Sequence, residues 1–228
     1  MRQRFFFVSL APNLKIASMM LTFPEFIEYA GTYVLAISGI RLAAAAKVDL
    51  FGAVVIGIVT SVGGGTIRDL LLNATPFWMD DPKYFITILV GTASVVIFRN
   101  RLVRLENTFF IFDTIGLGMF TLIGIEKTLL YGHPYWVAMI LGMITGIAGG
   151  ITRDILINEV PLIFRKEIYA GACIIGGLAY ALFDKFAITS NWADVACVTT
   201  VIVIRTVAIK YQLGLPVIQA DQPDESNT

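Results

Sequence analysis

Read only for apolar and polar positions, the chain is a series of long apolar runs separated by short polar breaks. The runs span about Phe26–Ala46, Leu50–Ala74, Tyr84–Phe98, Phe109–Leu130, Tyr135–Glu159, Ile168–Phe183 and Trp192–Ile209. Their hydrophobicity is continuous, whereas the strands of a membrane barrel would alternate over about 10 residues. Stretches of about 20 apolar residues match the roughly 30 Å hydrocarbon core of a bilayer. The pattern predicts an all-α integral membrane protein with seven transmembrane helices. The third and sixth runs are short, and Tyr84 and Tyr169 are expected to anchor them at the membrane interface. Residues 1–25 read as an interfacial segment and 212–228 as a polar, disordered tail.

One stretch occurs twice. Gly57–Pro76 reads GIVTSVGGGTIRDLLLNATP, and Gly142–Pro161 reads GMITGIAGGITRDILINEVP. A shift of 85 positions lays Gly64 on Gly149, Gly65 on Gly150, Arg68 on Arg153, Asp69 on Asp154 and Asn73 on Asn158. The same shift relates Gly31 to Gly116, Glu28 to Asp113 and Tyr84 to Tyr169. The duplicated unit is therefore three spans long, over 26–106 and 107–190, with a seventh helix over 191–211. An odd number of spans per unit sends the second copy into the membrane from the opposite side. The expected architecture is an inverted 3+3 repeat plus one extra helix, its halves related by a pseudo-two-fold axis in the membrane plane.

Composition agrees. Apolar residues make up 57% of the chain and charged residues 15%, and mean hydropathy is +0.77, against about 25% charged for an ordinary soluble domain. A formal net charge of zero argues against a nucleic-acid partner. Cys173 and Cys197 fall inside spans and read as small packing residues rather than metal ligands. No serine–base dyad, zinc signature or phosphate loop marks an enzyme. Lys47, Arg99, Arg101, Arg104, Arg165, Lys166 and Lys210 lie toward one side; Lys83, Lys127 and Lys185 lie toward the other, with Arg2, Arg4 and Lys15 if the leading segment counts. This predicts a multi-pass protein of the cell (inner) membrane, with the N-terminus outside and the C-terminus cytoplasmic.

The repeated motif holds the candidate chemistry. Gly63, Gly64 and Gly65 lie inside the second span, and Gly149 and Gly150 inside the fifth. Glycine permits a bend or an unwound turn, which would present carbonyl and amide groups to a cavity near the midplane. The other reading is packing. Gly57, Ser61 and Gly65 are spaced by four, as are Gly142, Gly146 and Gly150, a stripe that lets helices approach closely. A central Arg or Asp costs roughly 2.5–3.5 kcal/mol to insert. Arg68, Asp69, Arg153 and Asp154 must therefore face protein or water, either lining a path or forming an ion-pair clamp. Neighbours differ by about 100° around a helix, so Arg68 and Asp69 are expected on different faces, and inversion of the halves makes pairing between the repeats geometrically possible. Ser61, Thr66, Asn73, Thr145, Thr152 and Asn158 could line a polar route, and each could also bond its own helix. Arg41 and Arg205 are expected to snorkel, and Glu126 and Lys127 to lie near the outer interface.

GGGTIRD and AGGITRD on spans two and five of a three-plus-three-plus-one arrangement resemble the TRIC (trimeric intracellular cation) channels, and their bacterial members in particular. The resemblance covers about Phe26–Ile209. It implies a homotrimer in the lipid bilayer, with a pore in each subunit between kinked helices two and five. It implies potassium or sodium as permeant ions, no other cofactor, and room for a bound lipid. The family's kink glycines fall on Gly63, Gly64, Gly65, Gly149 and Gly150, and its basic residues on Arg68 and Arg153. Ala148 stands where the first copy has Gly63, so a milder second kink is expected. The alternative is a secondary transporter of glycine or another small zwitterion, whose two charged ends an Arg–Asp pair could hold.

Overall fold

The computed structural model describes residues 23–98, 106–165, 168–186 and 190–214. The leading segment with Arg2, Arg4 and Lys15, the loop bearing Arg99, Arg101 and Arg104, Lys166, and the end of the tail lie outside the described residues. Every described element is a helix: α1 Phe23–Ala45, α2 Leu50–Leu71, a short α3 Phe77–Asp80, α4 Lys83–Ile97, α5 Glu106–Leu130, α6 Tyr135–Leu156, a 3-10 turn Leu162–Phe164, α7 Ala170–Lys185 and α8 Ser190–Tyr211. Among the described residues, four segments are both long and apolar enough to cross a bilayer: Leu50–Leu71, Phe109–Leu130, Tyr135–Leu156 and Asn191–Tyr211. Lys83–Ile97 is a shorter apolar helix.

Local sequence sets the helix ends, and the two halves use the same devices. Asp49 caps α2, its Oδ1 accepting the Gly52 N–H at 2.7 Å. Both motif helices stop three residues before the end of the apolar run. Asn73 (φ 53°) and Asn158 (φ 59°) adopt the left-handed conformation that asparagine tolerates. The Ala74 N–H then closes on the Asp69 carbonyl at 2.8 Å and the Glu159 N–H on the Asp154 carbonyl at 2.8 Å, the hydrogen bond of a Schellman cap. Lys47 (φ 61°) ends α1 and Gly132 (φ 83°) ends α5 in the same way, again 85 residues apart.

α1 packs on α2, α4 and α5; α5 packs on α6, α7, α8 and α1; α2 and α6 cross between them, and α8 covers α5 and α7. Contacts between the halves come in reciprocal pairs. A Cβ on Gly31 would meet the Phe120 ring at 2.9 Å, and one on Gly116 would meet Leu35, the counterpart of Phe120, at 2.3 Å. A Cβ on Gly64 would lie 2.0 Å from the Thr145 carbonyl oxygen, and one on Gly149 would lie 2.1 Å from that of Thr60, the counterpart of Thr145. In each pair residue i touches j while the equivalent of j touches the equivalent of i.

Candidate functional site

The glycines do not unwind their helices. α2 is continuous α-helix through Gly63, Gly64 and Gly65, and α6 through Gly149 and Gly150. The missing Cβ is used for proximity instead. Gly64 lies on the Thr145 backbone and Gly149 on the Thr60 backbone, and even a Cβ on Gly63 would stand only 3.6 Å from Gly149 Cα. The packing reading of the small-residue stripe describes this crossing, because a helix that keeps its own hydrogen bonds costs nothing extra in lipid.

The hydroxyls follow the same logic. Ser61 donates to the Gly57 carbonyl at 2.8 Å, Thr66 to Val62 at 2.7 Å, Thr145 to Leu141 at 2.6 Å and Thr152 to Ala148 at 2.9 Å. Thr66 also accepts the Trp78 indole N–H at 2.9 Å. Asn73 and Asn158 are exposed cap residues outside the crossing.

One turn past the glycines the charges converge. Arg68 and Arg153 are fully buried. Contrary to the helical-wheel expectation, each pairs with its own neighbour. Arg68 Nε donates to Asp69 Oδ1 at 2.7 Å, and Arg153 Nε to Asp154 Oδ1 at 2.8 Å. The side chains fold along the helix end, where 100° between Cβ atoms no longer separates their tips. The second carboxylate oxygen holds the next element. Asp69 Oδ2 accepts the Phe77 N–H at 2.9 Å, and Asp154 Oδ2 accepts that of Leu162 at 3.1 Å. Each Asp thus ties a buried cation to the first residue of the turn that follows its helix.

Four partners were not assigned such roles from sequence. Glu28 Oε1 lies 3.8 Å from Arg68 Nη2, and Asp113 Oδ1 lies 2.6 Å from Arg153 Nη1. Tyr84 donates to Glu28 at 2.6 Å, and Tyr169 donates to Asp113 at 3.0 Å. Both tyrosines are buried rather than interfacial, because their hydroxyls find carboxylates inside the bundle. The shared shift of 85 was the available signal. Lys127 is a further surprise: its ammonium reaches back from α5 to Asp69 Oδ1 at 2.9 Å. It joins the halves, a link that the two Arg–Asp motifs do not make with each other. Arg41 and Arg205 are buried too, not snorkelling, and the Arg205 guanidinium lies 4.6 Å from the Tyr169 ring centroid.

Beside the first network opens a pocket of about 440 Å³, lined among others by Glu25, Glu28, Asp80, Asp81 and Lys127. Its carboxylates outnumber its cations. The Tyr29 hydroxyl donates to Asp81 at 2.5 Å and, with the Lys83 backbone N–H, holds that carboxyl below its ordinary value. The positions matching Asp80 and Asp81 in the second half are Arg165 and Lys166. The repeat has thus diverged in charge at these positions while keeping its buried network. Among the described residues, no group of His, Cys, Asp and Glu side chains is arranged to hold a metal ion.

Fold and site together define a class: an all-helical membrane protein in which two glycine-bearing helices cross and each is followed by a buried Arg–Asp network. The family described as "Glycine transporter" matches this chain twice, over residues 25–100 and 110–185, the two matches again 85 apart. The chain belongs to that family, in the bacterial branch related to the TRIC channels. A UPF0126 membrane protein of Vibrio cholerae is 42% identical over 83% of this chain and 80% of its own length. The UPF0126 inner membrane protein YadS of Escherichia coli K12 is 38% identical over 86% of this chain and 96% of its own. The TRIC trimeric intracellular cation channel orthologue from Rhodobacter sphaeroides superposes with a TM-score of 0.80 at 31% identity, over 85% of this chain and 100% of that one. A trimeric intracellular cation channel from C. elegans, 15% identical with a TM-score of 0.58, shares the fold. These relatives are membrane proteins and channels, not enzymes.

Proposed function

We propose that the protein is a monovalent cation channel, permeable to potassium, with one path per subunit at the crossing of α2 and α6. The subunits form a homotrimer in the inner membrane. Each subunit spans the membrane seven times as an inverted 3+3 repeat plus α8, with the N-terminus outside. The reciprocal contacts between the halves support the inversion, and the likeness to the Rhodobacter channel supports the activity.

One observation carries the reading. The arginines that would repel a cation are neutralised where they stand. Arg68 and Lys127 are set against Asp69 and Glu28, while Arg153 faces both Asp113 and Asp154. With the arginines cancelled, the surplus carboxylates of the pocket set the sign of the field and favour cations. α2 and α6 touch through backbone at Gly63, Gly64 and Gly149. This is a shut crossing, and opening it requires the two helices to separate there.

Secondary transport of glycine or another small zwitterion is the second reading, and one observation favours it. Arg68 Nη1 and Nη2 are buried without hydrogen-bond partners, next to a pocket rich in carboxylates. A zwitterion's carboxylate and ammonium would suit those two features. Purified protein in liposomes, assayed in parallel for potassium flux and glycine uptake, decides between them. Flux with no saturable glycine uptake supports the channel, and the reverse refutes it.

A further inference from the structure

The two buried networks follow one plan but are not held equally. In the second half, Arg153 Nη1 reaches both Asp113 at 2.6 Å and the Ser38 hydroxyl at 3.1 Å. Asp113 and Tyr169 are both buried. In the first half, Arg68 approaches Glu28 only to 3.8 Å and neither terminal nitrogen makes a hydrogen bond, whereas in the second only Nη2 of Arg153 lacks one; the added tie on Asp69 comes from the partly exposed Lys127 at 2.9 Å. Glu28 is partly exposed on the pocket.

One difference between the two networks lies outside the repeat. α8 has no counterpart in the first half, and its fully buried Arg205 lays a guanidinium over the Tyr169 ring. A cation on a ring face is held there by the ring's quadrupole. It also draws electron density from the phenol, which strengthens the hydroxyl as a donor to Asp113. The chain of contact runs from Arg205 to Tyr169, Asp113 and Arg153, and through Asp154 to the Leu162 N–H. Tyr84, the equivalent ring, has instead Phe77 edge-on at 4.6 Å and Tyr29 at 4.7 Å, both neutral.

We propose that Arg205 is a positioning residue: acting through Tyr169 and Asp113, it fixes the Arg153 network in one arrangement. The rearrangement that opens the α2–α6 crossing is thereby confined to the Arg68 side. The link to opening rests on the channel reading, but the asymmetry itself does not. On this account the added helix makes two equivalent halves mechanically unequal, one a fixed post and the other a moving part.

Hydrogen exchange read by mass spectrometry on the purified protein tests this without any transport assay. The Phe77 N–H on Asp69 and the Leu162 N–H on Asp154 report the two networks. In the wild type, segment 74–81 should be less protected than segment 159–165 by about tenfold, after correction for intrinsic rates. Arg205→Met should lower protection of 159–165 about tenfold and leave 74–81 within about twofold, and Arg205→Lys should restore most of it. Tyr169→Phe keeps the ring and removes the hydroxyl. It should give the same selective loss, and it replaces Arg205→Met should that variant fail to assemble. Equal protection of the two segments in the wild type overturns the proposal. So does a variant that loosens both segments alike or neither, or a lysine variant no better than methionine. Selective exchange without potassium flux would leave Arg205 as the positioning residue and refute the channel reading instead.

Discussion

Alanine at each glycine of the first motif separates packing from flexibility as the reason for the triplet. A Cβ on Gly64 would sit 2.0 Å from the Thr145 carbonyl oxygen, whereas real Cβ contacts essentially never fall below 3.0 Å. The obstacle is backbone in the middle of a helix, so α2 and α6 must part by about 1 Å. A gap of that size forfeits a quarter to a half of the dispersion attraction across the crossing. Overpacking of this kind costs roughly 1–3 kcal/mol, while alanine returns about 1 kcal/mol in helix propensity. A backbone obstacle that cannot turn aside puts the overpacking cost in the upper part of that range, so the net expectation for Gly64→Ala is a loss of about 1–2 kcal/mol, or roughly 2–8 °C in melting temperature for a chain of this size. Gly149→Ala should match it, since its Cβ would lie 2.1 Å from the Thr60 carbonyl oxygen. Gly63→Ala places its Cβ 3.6 Å from Gly149 Cα, an ordinary contact, and should be neutral or stabilising. Gly65→Ala meets the Phe77 ring at 2.5 Å and should fall between, because a ring can give where a backbone cannot. Thermal melts of the purified variants, followed by size-exclusion recovery after heating, read the order directly. Equal damage at Gly63 and Gly64, or none at Gly64, would refute the close-approach account and return the glycines to a role in bending.

Other expectations follow from the same geometry. Asp154→Asn leaves one donor, the Arg153 Nε–H or the Leu162 N–H, facing an amide NH₂; breaking a buried ion pair costs about 3–5 kcal/mol, and retained Asp113 places this variant near 3 kcal/mol, measurable as lost thermal stability. Asn73→Ala should cost about 1 kcal/mol, because alanine lacks asparagine's tolerance of the left-handed conformation, whereas Asn73→Gly should melt like the wild type; unchanged conductance in both separates a helix cap from a pore-lining amide. Tyr29 and the Lys83 N–H hold the Asp81 carboxyl below the ordinary carboxyl value. Its contribution to stability is therefore complete above the ordinary carboxyl value and lost as pH falls through the lower folded value. Melting curves from pH 5 downward should show an acid-side loss that Asp81→Asn reduces.

The helices were legible because lipid leaves one choice for a long apolar run, and their equivalence was legible because Arg68, Asp69 and Asn73 recur at one spacing with Arg153, Asp154 and Asn158. The use made of the glycines was not. A Gly-rich turn and a Gly-mediated crossing share one sequence pattern, and only the position of Thr60 and Thr145 on the opposing helix tells them apart. Lys127 was read as interfacial from its place near a span end; that its ammonium reaches Asp69 depends on how α5 lies against α2. Arg41 and Arg205 depart from the snorkelling expectation for a related reason. Snorkelling assumes lipid beside the side chain, and both side chains have protein there. Glu28, Asp113, Tyr84 and Tyr169 were visible as aligned pairs, but alignment alone does not say that the tyrosines donate to the carboxylates.

Recording from the purified protein in a planar bilayer tests the central claim most directly. In a potassium chloride gradient the account predicts discrete unitary currents that reverse near the potassium equilibrium potential. A silent bilayer, with the same preparation driving saturable glycine exchange in vesicles, would contradict it.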